Sequence, residues 1–314
     1  MDCLHCKYVG SRGLLMSCDR KSDLPVPDFD GLNPALYKDI QEDNQIFHVC
    51  PQALRKFVDK VLPTLKRPFI LLTNNSDCTI PDDVQYEFTR LTNHPMLSHW
   101  FAQNCIVDHP KLTRIPIGLD YHTLIPRYKK QFTWSEPVPI VEQHTIGWGL
   151  REEPVLQEQH LIKFQSSARP FWEREVKAYA NFQFLMSTRY GKIDRAECFN
   201  TVPKELVYYE PVRCIRNICW ENMIKHAFVL SPQGNGLDCH RTWEALCLGC
   251  IPIVKTSGLD PLFEGLPVWI VSAWSEVTQE NMSAKINEFK EKEFRLERLT
   301  LDYWRKVIWG RRGA

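Results

Sequence analysis

Short apolar runs alternate along this chain with stretches whose apolar residues recur every three or four positions. The runs read as strands and the spaced stretches as amphipathic helices. In the first half the pattern predicts strands at Arg12–Cys18, Gln45–Val49, Pro68–Thr73, His99–Asn104 and Arg114–Ile117, with helices at Pro51–Leu62 and Val84–Leu91. Pro68–Thr73 is apolar almost throughout, as a strand buried on both faces would be. A Pro-rich passage without a period, Thr133–Ile140, reads as a connection between domains. The second half predicts a helix near Glu173–Tyr179 and strands at Gln183–Ser187, Val207–Tyr209, Phe228–Leu230, Ile251–Lys255 and Val268–Val271. Its helices fall at Arg195–Asn200, Arg216–Lys225, Asp238–Leu248 and Glu280–Glu291, and an amphipathic helix at Leu296–Trp309 closes the chain. Alternation of this kind is the mark of parallel α/β layers. A length of 314 residues suits two domains, 1–150 and 151–295, followed by the closing helix.

The densest signal lies between Ala227 and Trp269. Phe228–Leu230 is a strand, and Ser231-Pro-Gln-Gly-Asn-Gly-Leu-Asp238 is a loop in which Gly234 and Gly236 permit a close backbone approach. Asp238 is placed as the N-cap of the next helix, Gly249 ends that helix, and Ile251–Val254 is again a strand. A glycine loop opening a helix exposes unpaired N–H groups to an anion such as a pyrophosphate. Arg241 adds a charge one turn in, and Glu244 suits a ribose diol. The loop is not a dinucleotide fingerprint: Gly-x-Gly-x-x-Gly would need glycine where Cys239 stands, at the first strand–helix turn of a domain.

Composition narrows the field. With 39 basic and 38 acidic residues the chain lacks the excess positive charge of nucleic-acid binders. No run of about 18 apolar residues and no basic-then-apolar leader is present, so a cytoplasmic protein without a membrane span is expected. The 12 cysteines are scattered, as buried thiols in a reducing compartment are. Cys3 and Cys6, with Cys18 or Cys50, provide zinc-type ligands but not the usual second pair; Cys247 and Cys250 straddle a helix end.

Three blocks resemble exostosin-like glycosyltransferases: Phe228–Val254 continued through Leu259–Phe263 and Leu266–Val268, Phe101–Asn104 with Ile115–His122, and Phe184–Arg189 with Arg195. They occur in the family's order and span roughly residues 68 to 275. The chain looks most like the short, soluble members of bacteria and large algal viruses, which include a viral capsid-glycan xylosyltransferase. The resemblance implies a GT-B type α/β fold: two Rossmann-like doubly wound domains face a cleft, and residues 296–314 pack back on the first. It further implies a donor UDP-sugar in the second domain, a glycan or glycoprotein acceptor in the first, and transfer with inversion. Xylose as the sugar, and a host cytoplasm as the location, rest on the viral members alone. A fucosyltransferase using GDP-fucose and a non-catalytic sugar-binding relative are the rivals.

Glycosyl transfer needs a base for the acceptor hydroxyl, positive groups for the leaving diphosphate, and a site that aligns both. Arg189, Arg195 and Arg241 are the candidates for the diphosphate, with Ser231, Gly234, Asn235, Gly236, Asp238 and Glu244 completing the donor site. Any of these arginines is otherwise a solvated surface charge, and Glu244 a surface carboxylate paired with Lys or Arg. Asp77 is the favoured base, because it follows a buried parallel strand at the acceptor side; Asn74 and Asn75 beside it would hold acceptor hydroxyls. An Asx-rich turn into Pro81 is the plainer reading. Asp120 and His122 are the alternative catalytic residues. Trp100 is more simply core, while Tyr121 and Tyr190 stand near predicted strand ends. No divalent metal is expected: Asp28-Phe-Asp30, the one Asp-x-Asp triplet, has no strand before it.

Overall fold

The computed structural model describes residues 3–21, 32–121, 153–183, 189–211 and 215–313. His122, the passage Thr133–Ile140, the triplet Asp28–Asp30 and the stretch from Phe184 to Thr188 lie outside them.

Two parallel sheets carry the chain. In the first, β1 (Gln45–His48), β2 (Phe69–Thr73), β3 (Leu97–Ala102) and β4 (Leu112–Arg114) lie side by side in chain order. The second holds β5 (Glu175–Ala180), β6 (Val207–Tyr209), β7 (His226–Leu230), β8 (Ile251–Lys255) and β9 (Trp269–Val271), in the order β6-β5-β7-β8-β9. That order reverses direction between β5 and β7, as in doubly wound domains.

Both faces of both sheets are covered, which is why their strands read as continuous apolar runs. On one face of the first sheet, Phe47, Phe69 and Trp100 pack with Tyr37 and with Phe57 of α2 (Leu54–Lys60), beside α3 (Gln85–Thr92). On the other, Ile46, Ile70 and Phe101 share a cluster with Leu14 of α1 (Ser11–Met16). The same cluster includes Trp304 and Ile308 of the closing helix, α9 (Leu301–Gly310). Trp309 Nε1 donates to Ser17 O at 3.2 Å, and Arg312 pairs with Asp19, so the chain's end is fastened to the first domain. In the second sheet Phe228 and Leu230 face α5 (Arg189–Thr201) and α8 (Gln279–Lys290), and Val229 faces α6 (Arg216–Met223) and α7 (His240–Cys247). Two open parallel sheets with the last helix returned to the first is the GT-B type arrangement.

Three elements differ in kind from the sequence pattern, and the strand expected at Arg114–Ile117 lies instead at Leu112–Arg114. Arg12–Cys18 is not a strand: Ser11–Met16 is helical, and Gly13 lies so close under Leu301 that a Cβ there would stand 2.8 Å from its side chain. Glu173–Tyr179 is not a helix. Glu175–Ala180 has the helix propensity of its alanines, but it lies between β6 and β7 and its backbone groups complete both ladders. Between the domains runs an unanticipated helix, α4 (Pro154–Ser167). Its inward face carries Gln157 and Glu158, so no apolar stripe announces it. The Glu158 carboxylate accepts from Lys7 N (2.7 Å), Tyr8 N (2.8 Å) and Tyr121 Oη (2.9 Å).

No helix among the described residues is long and apolar enough to cross a membrane. No group of three or more His, Cys, Asp or Glu side chains among them could hold a metal ion. Cys3, Cys6, Cys18 and Cys50 are buried free thiols.

Candidate functional site

The carboxyl ends of the two sheets meet, and the meeting is close. A Cβ on Gly236 would lie 2.9 Å from Asn104 Nδ2 and 3.2 Å from Asp77 Oδ1, so only glycine lets the second domain approach the first this far. Asp238 N donates to Asn104 Oδ1 at 2.9 Å. Ile117 N donates to Asp238 Oδ2 at 2.7 Å, and His240 Nδ1 donates to Gly118 O at 2.7 Å. Thr79 Oγ1 and Tyr190 Oη share a hydrogen bond of 2.8 Å across the same seam.

On the second domain's side the reversal between β5 and β7 opens a crevice beyond the strand ends, the place where open α/β sheets bind ligands. Arg195, on α5, spans it. Its Nε donates to Gln233 O (2.9 Å) after β7 and its Nη1 to Gln183 O (3.3 Å) after β5. Asp194 accepts from Gln233 N at 2.8 Å and from Trp274 Nε1 at 2.8 Å, so two consecutive residues hold both backbone polar groups of Gln233. A Cβ on Gly234 would stand 3.1 Å from Arg195 Nη2. Arg241, on the first turn of α7, reaches Pro232 O at 3.4 Å and lies over the Phe182 ring. Neither guanidinium is salt-bridged to a carboxylate among the described residues. Burial, and then the nearby Arg241 charge, bring Arg195 down to about 10, which still leaves it cationic at neutral pH. Two crowded cations beside the opening of α7 form a crevice suited to an anion.

Across the seam stands Asp77. The residue is exposed, and Gly236 of the facing loop stands against its carboxylate. The surrounding protein raises its carboxyl above the ordinary value by desolvation, against the opposing charges of His240 and Arg189. Asn75 beside it is half-buried, with a left-handed backbone. Asn235 is exposed at the tip of the glycine loop.

The other residues expected in the site are held by protein partners. Asn74 is fully buried; it accepts from His48 Nε2 (2.9 Å) and donates to Ser11 O (2.8 Å), tying the strand ends to α1. Ser231 Oγ is bonded to Thr242 Oγ1 at 2.8 Å, behind the loop. Asp238 is not the N-cap; that position is Cys239. The Asp238 carboxylate accepts instead from Ile117 N and, at 2.8 Å, from Trp243 Nε1. Burial pushes it up to about 6. Arg189 crosses to the first domain, donating to Asp77 O (3.1 Å) and pairing with Asp83. Asp120 and Glu244 both face Arg216, at 3.5 and 3.7 Å, in a buried cluster completed by Gln157. Tyr121 and Trp100 are core residues, while Tyr190 sits on the seam. Asn104 was visible in the sequence as the polar end of a strand that could face the cleft, without a role of its own, and Asp194 carried no signal.

The chain matches no protein-family model and no curated protein. Among solved structures it is similar to a trehalose-6-phosphate protein from E. coli bound with UDP-2-fluoro glucose, at 10% identity and TM-score 0.39, covering 90% of this chain and 76% of that one. A UDP-forming α,α-trehalose-phosphate synthase from Burkholderia xenovorans gives 10% identity and TM-score 0.41, with 91% and 78% covered. WaaG, a glycosyltransferase of lipopolysaccharide biosynthesis, gives 10% and 0.30, with 84% and 100% covered. Likeness at these scores does not extend to the site.

Proposed function

We propose that this protein is a glycosyltransferase that moves a sugar from a nucleoside diphosphate, UDP by preference, to a hydroxyl of a glycan or glycoprotein. The observation that carries the reading is the meeting of three charged groups at one glycine loop: the Asp77 carboxylate stands against Gly236, the Arg195 guanidinium stands against Gly234, and Arg241 reaches Pro232 O just before it. The diphosphate lies in the crevice after β5 and β7, against Arg195, Arg241, the Gly234–Gly236 backbone and the first N–H groups of α7. Asp77 takes the acceptor proton while the hydroxyl oxygen attacks the anomeric carbon. The bond from that carbon to the diphosphate oxygen breaks, and the arginines take up the charge released on the leaving group. One carboxylate opposite the leaving group gives inversion, and fixed cations in the crevice supply the charge stabilisation a divalent metal would otherwise provide. Asn75, beside Asp77, holds an acceptor hydroxyl. Xylose is the proposed sugar, on the sequence resemblance alone. The scattered free thiols suit the cytoplasm.

Thermal stability against UDP, UDP-xylose, UDP-glucose, GDP-fucose and NAD, each with and without EDTA, tests this. A ligand at about 100 times its dissociation constant adds roughly 2.7 kcal/mol. A UDP-specific shift that survives EDTA is expected. A shift with GDP-fucose alone reassigns the donor, and the absence of any shift removes the catalytic reading.

A further inference from the structure

The loop that carries Asp77 and the loop that carries Gly236 belong to different domains, yet one side chain bonds to both. Asn104 follows β3 and is fully buried. Its backbone is left-handed, φ 53°, a conformation asparagine tolerates better than most residues. The orientation of its amide is dictated by its partners. Oδ1 must face the Asp238 N–H, at 2.9 Å, and Nδ2 must face the Ser76 carbonyl, at 3.2 Å; the reverse would oppose like groups twice. Ser76 immediately precedes Asp77. The same Nδ2 lies 2.9 Å from where a Cβ on Gly236 would be. The Asn104 carbonyl accepts from Ile80 N at 3.0 Å, which holds the far end of the Asp77 loop.

The neighbouring contacts lack this double reach. Gln103 donates to Ser76 O at 2.8 Å and accepts from Asn75 N at 3.1 Å, but both partners are in its own domain. His240 with Gly118, and Ile117 with Asp238, cross the seam beyond the Asp77 loop, while Arg189 donates to Asp77 O and Tyr190 meets Thr79 from α5 rather than from the glycine loop. We propose that Asn104 is a positioning residue: its amide sets the gap between Asp77 and the glycine loop, and so the distance over which the acceptor oxygen meets the donor. This inference rests on the transferase reading of the cleft. A misplacement of about 1 Å at such a gap is enough to cost on the order of 100-fold in rate.

The test compares Asn104→Gly, which removes the amide but keeps a backbone free to be left-handed, with Asn104→Asp. The aspartate keeps the acceptor for Asp238 N but sets a carboxylate oxygen against Ser76 O. UDP affinity by calorimetry, kcat with the best donor, and deuterium exchange at the Asp238 amide are measured on the full chain. Both variants are expected to lose about 30- to 100-fold in kcat while binding UDP within about threefold of the parent. In Asn104→Gly the Asp238 amide exchanges faster while β7 keeps its protection. An unchanged kcat, or UDP binding that weakens in step with kcat, overturns the assignment. Should the parent itself neither bind UDP nor turn over, the transferase reading fails by itself. The Asn104 assignment is then decided by exchange: a faster Asp238 amide in Asn104→Gly supports it, and an amide as slow as the parent's overturns it.

Discussion

Raising the pH from about 4 to about 6 should weaken this fold at one identifiable carboxyl. Asp238 is buried between the domains, and loss of solvent lifts it from 3.8 to about 6, although Ile117 N, Trp243 Nε1 and the charge of His240 all favour its ionised form. The folded protein therefore holds this proton more tightly than the unfolded chain does. Stability from the group is greatest below about pH 4, declines between about 4 and 6, and is flat above. A difference of about two pH units corresponds to ~3 kcal/mol in all, of which about 2 kcal/mol develops between roughly pH 4.5 and 7.5. Asp238→Asn removes the titration. It also sets an amide N–H against one of the two donors, a pH-independent cost of about 1–3 kcal/mol. Urea unfolding of parent and variant, followed by tryptophan fluorescence across that range, isolates the effect, because every other titrating group is common to both. The variant should gain about 2 kcal/mol on the parent as pH rises. A difference that stays level with pH, or moves the other way, refutes the argument that burial controls this carboxyl.

Asp77→Asn should retain UDP affinity and lose transfer by about 10²–10⁴-fold. In the parent, kcat/KM should rise with pH along a limb displaced above the ordinary carboxylate range, since the base must be ionised and desolvation opposes that; a limb at or below that range would count against Asp77. Arg241→Ala, measured by calorimetry, should weaken UDP binding about 10- to 150-fold, the worth of one charge-assisted contact of about 1.5–3 kcal/mol. Unaltered affinity would place the diphosphate elsewhere. Trp304→Ala empties the contact between the closing helix and the first domain, where Trp304 is buried and its Nε1 donates to Arg298 O. A loss of about 3–5 kcal/mol in urea unfolding is expected, and a loss under about 1 kcal/mol would show that the helix is not needed to cover that sheet face.

Local pattern determined a good deal of this protein. The apolar runs at Pro68–Thr73, Phe228–Leu230 and Ile251–Lys255 read as strands, and Phe69–Thr73, His226–Leu230 and Ile251–Lys255 are strands. Gly249 ends α7 with φ 70°, as a helix-ending glycine should, and Cys250 N closes back on Ala245 O. Such features depend on residues a few positions apart, so the chain itself states them. Elements decided by distant partners were not legible. Glu175–Ala180 became a strand because β6 and β7 flank it, and Pro154–Ser167 became a helix whose buried face is polar, because Tyr8, Tyr121 and the Lys7 backbone supply its hydrogen bonds. The candidate site divides in the same way. The glycine loop, Asp77 and Arg241 stand out in sequence by residue type and place. That Asn74 is turned inward was settled by packing the first sheet against α1, and that Asp238 fastens one domain to the other and Asn104 joins two loops was settled only by docking the domains. A polar side chain's role depends on which donor or acceptor lies within about 3 Å of it, and that neighbour here comes from residues as far apart as Asn104 and Asp238.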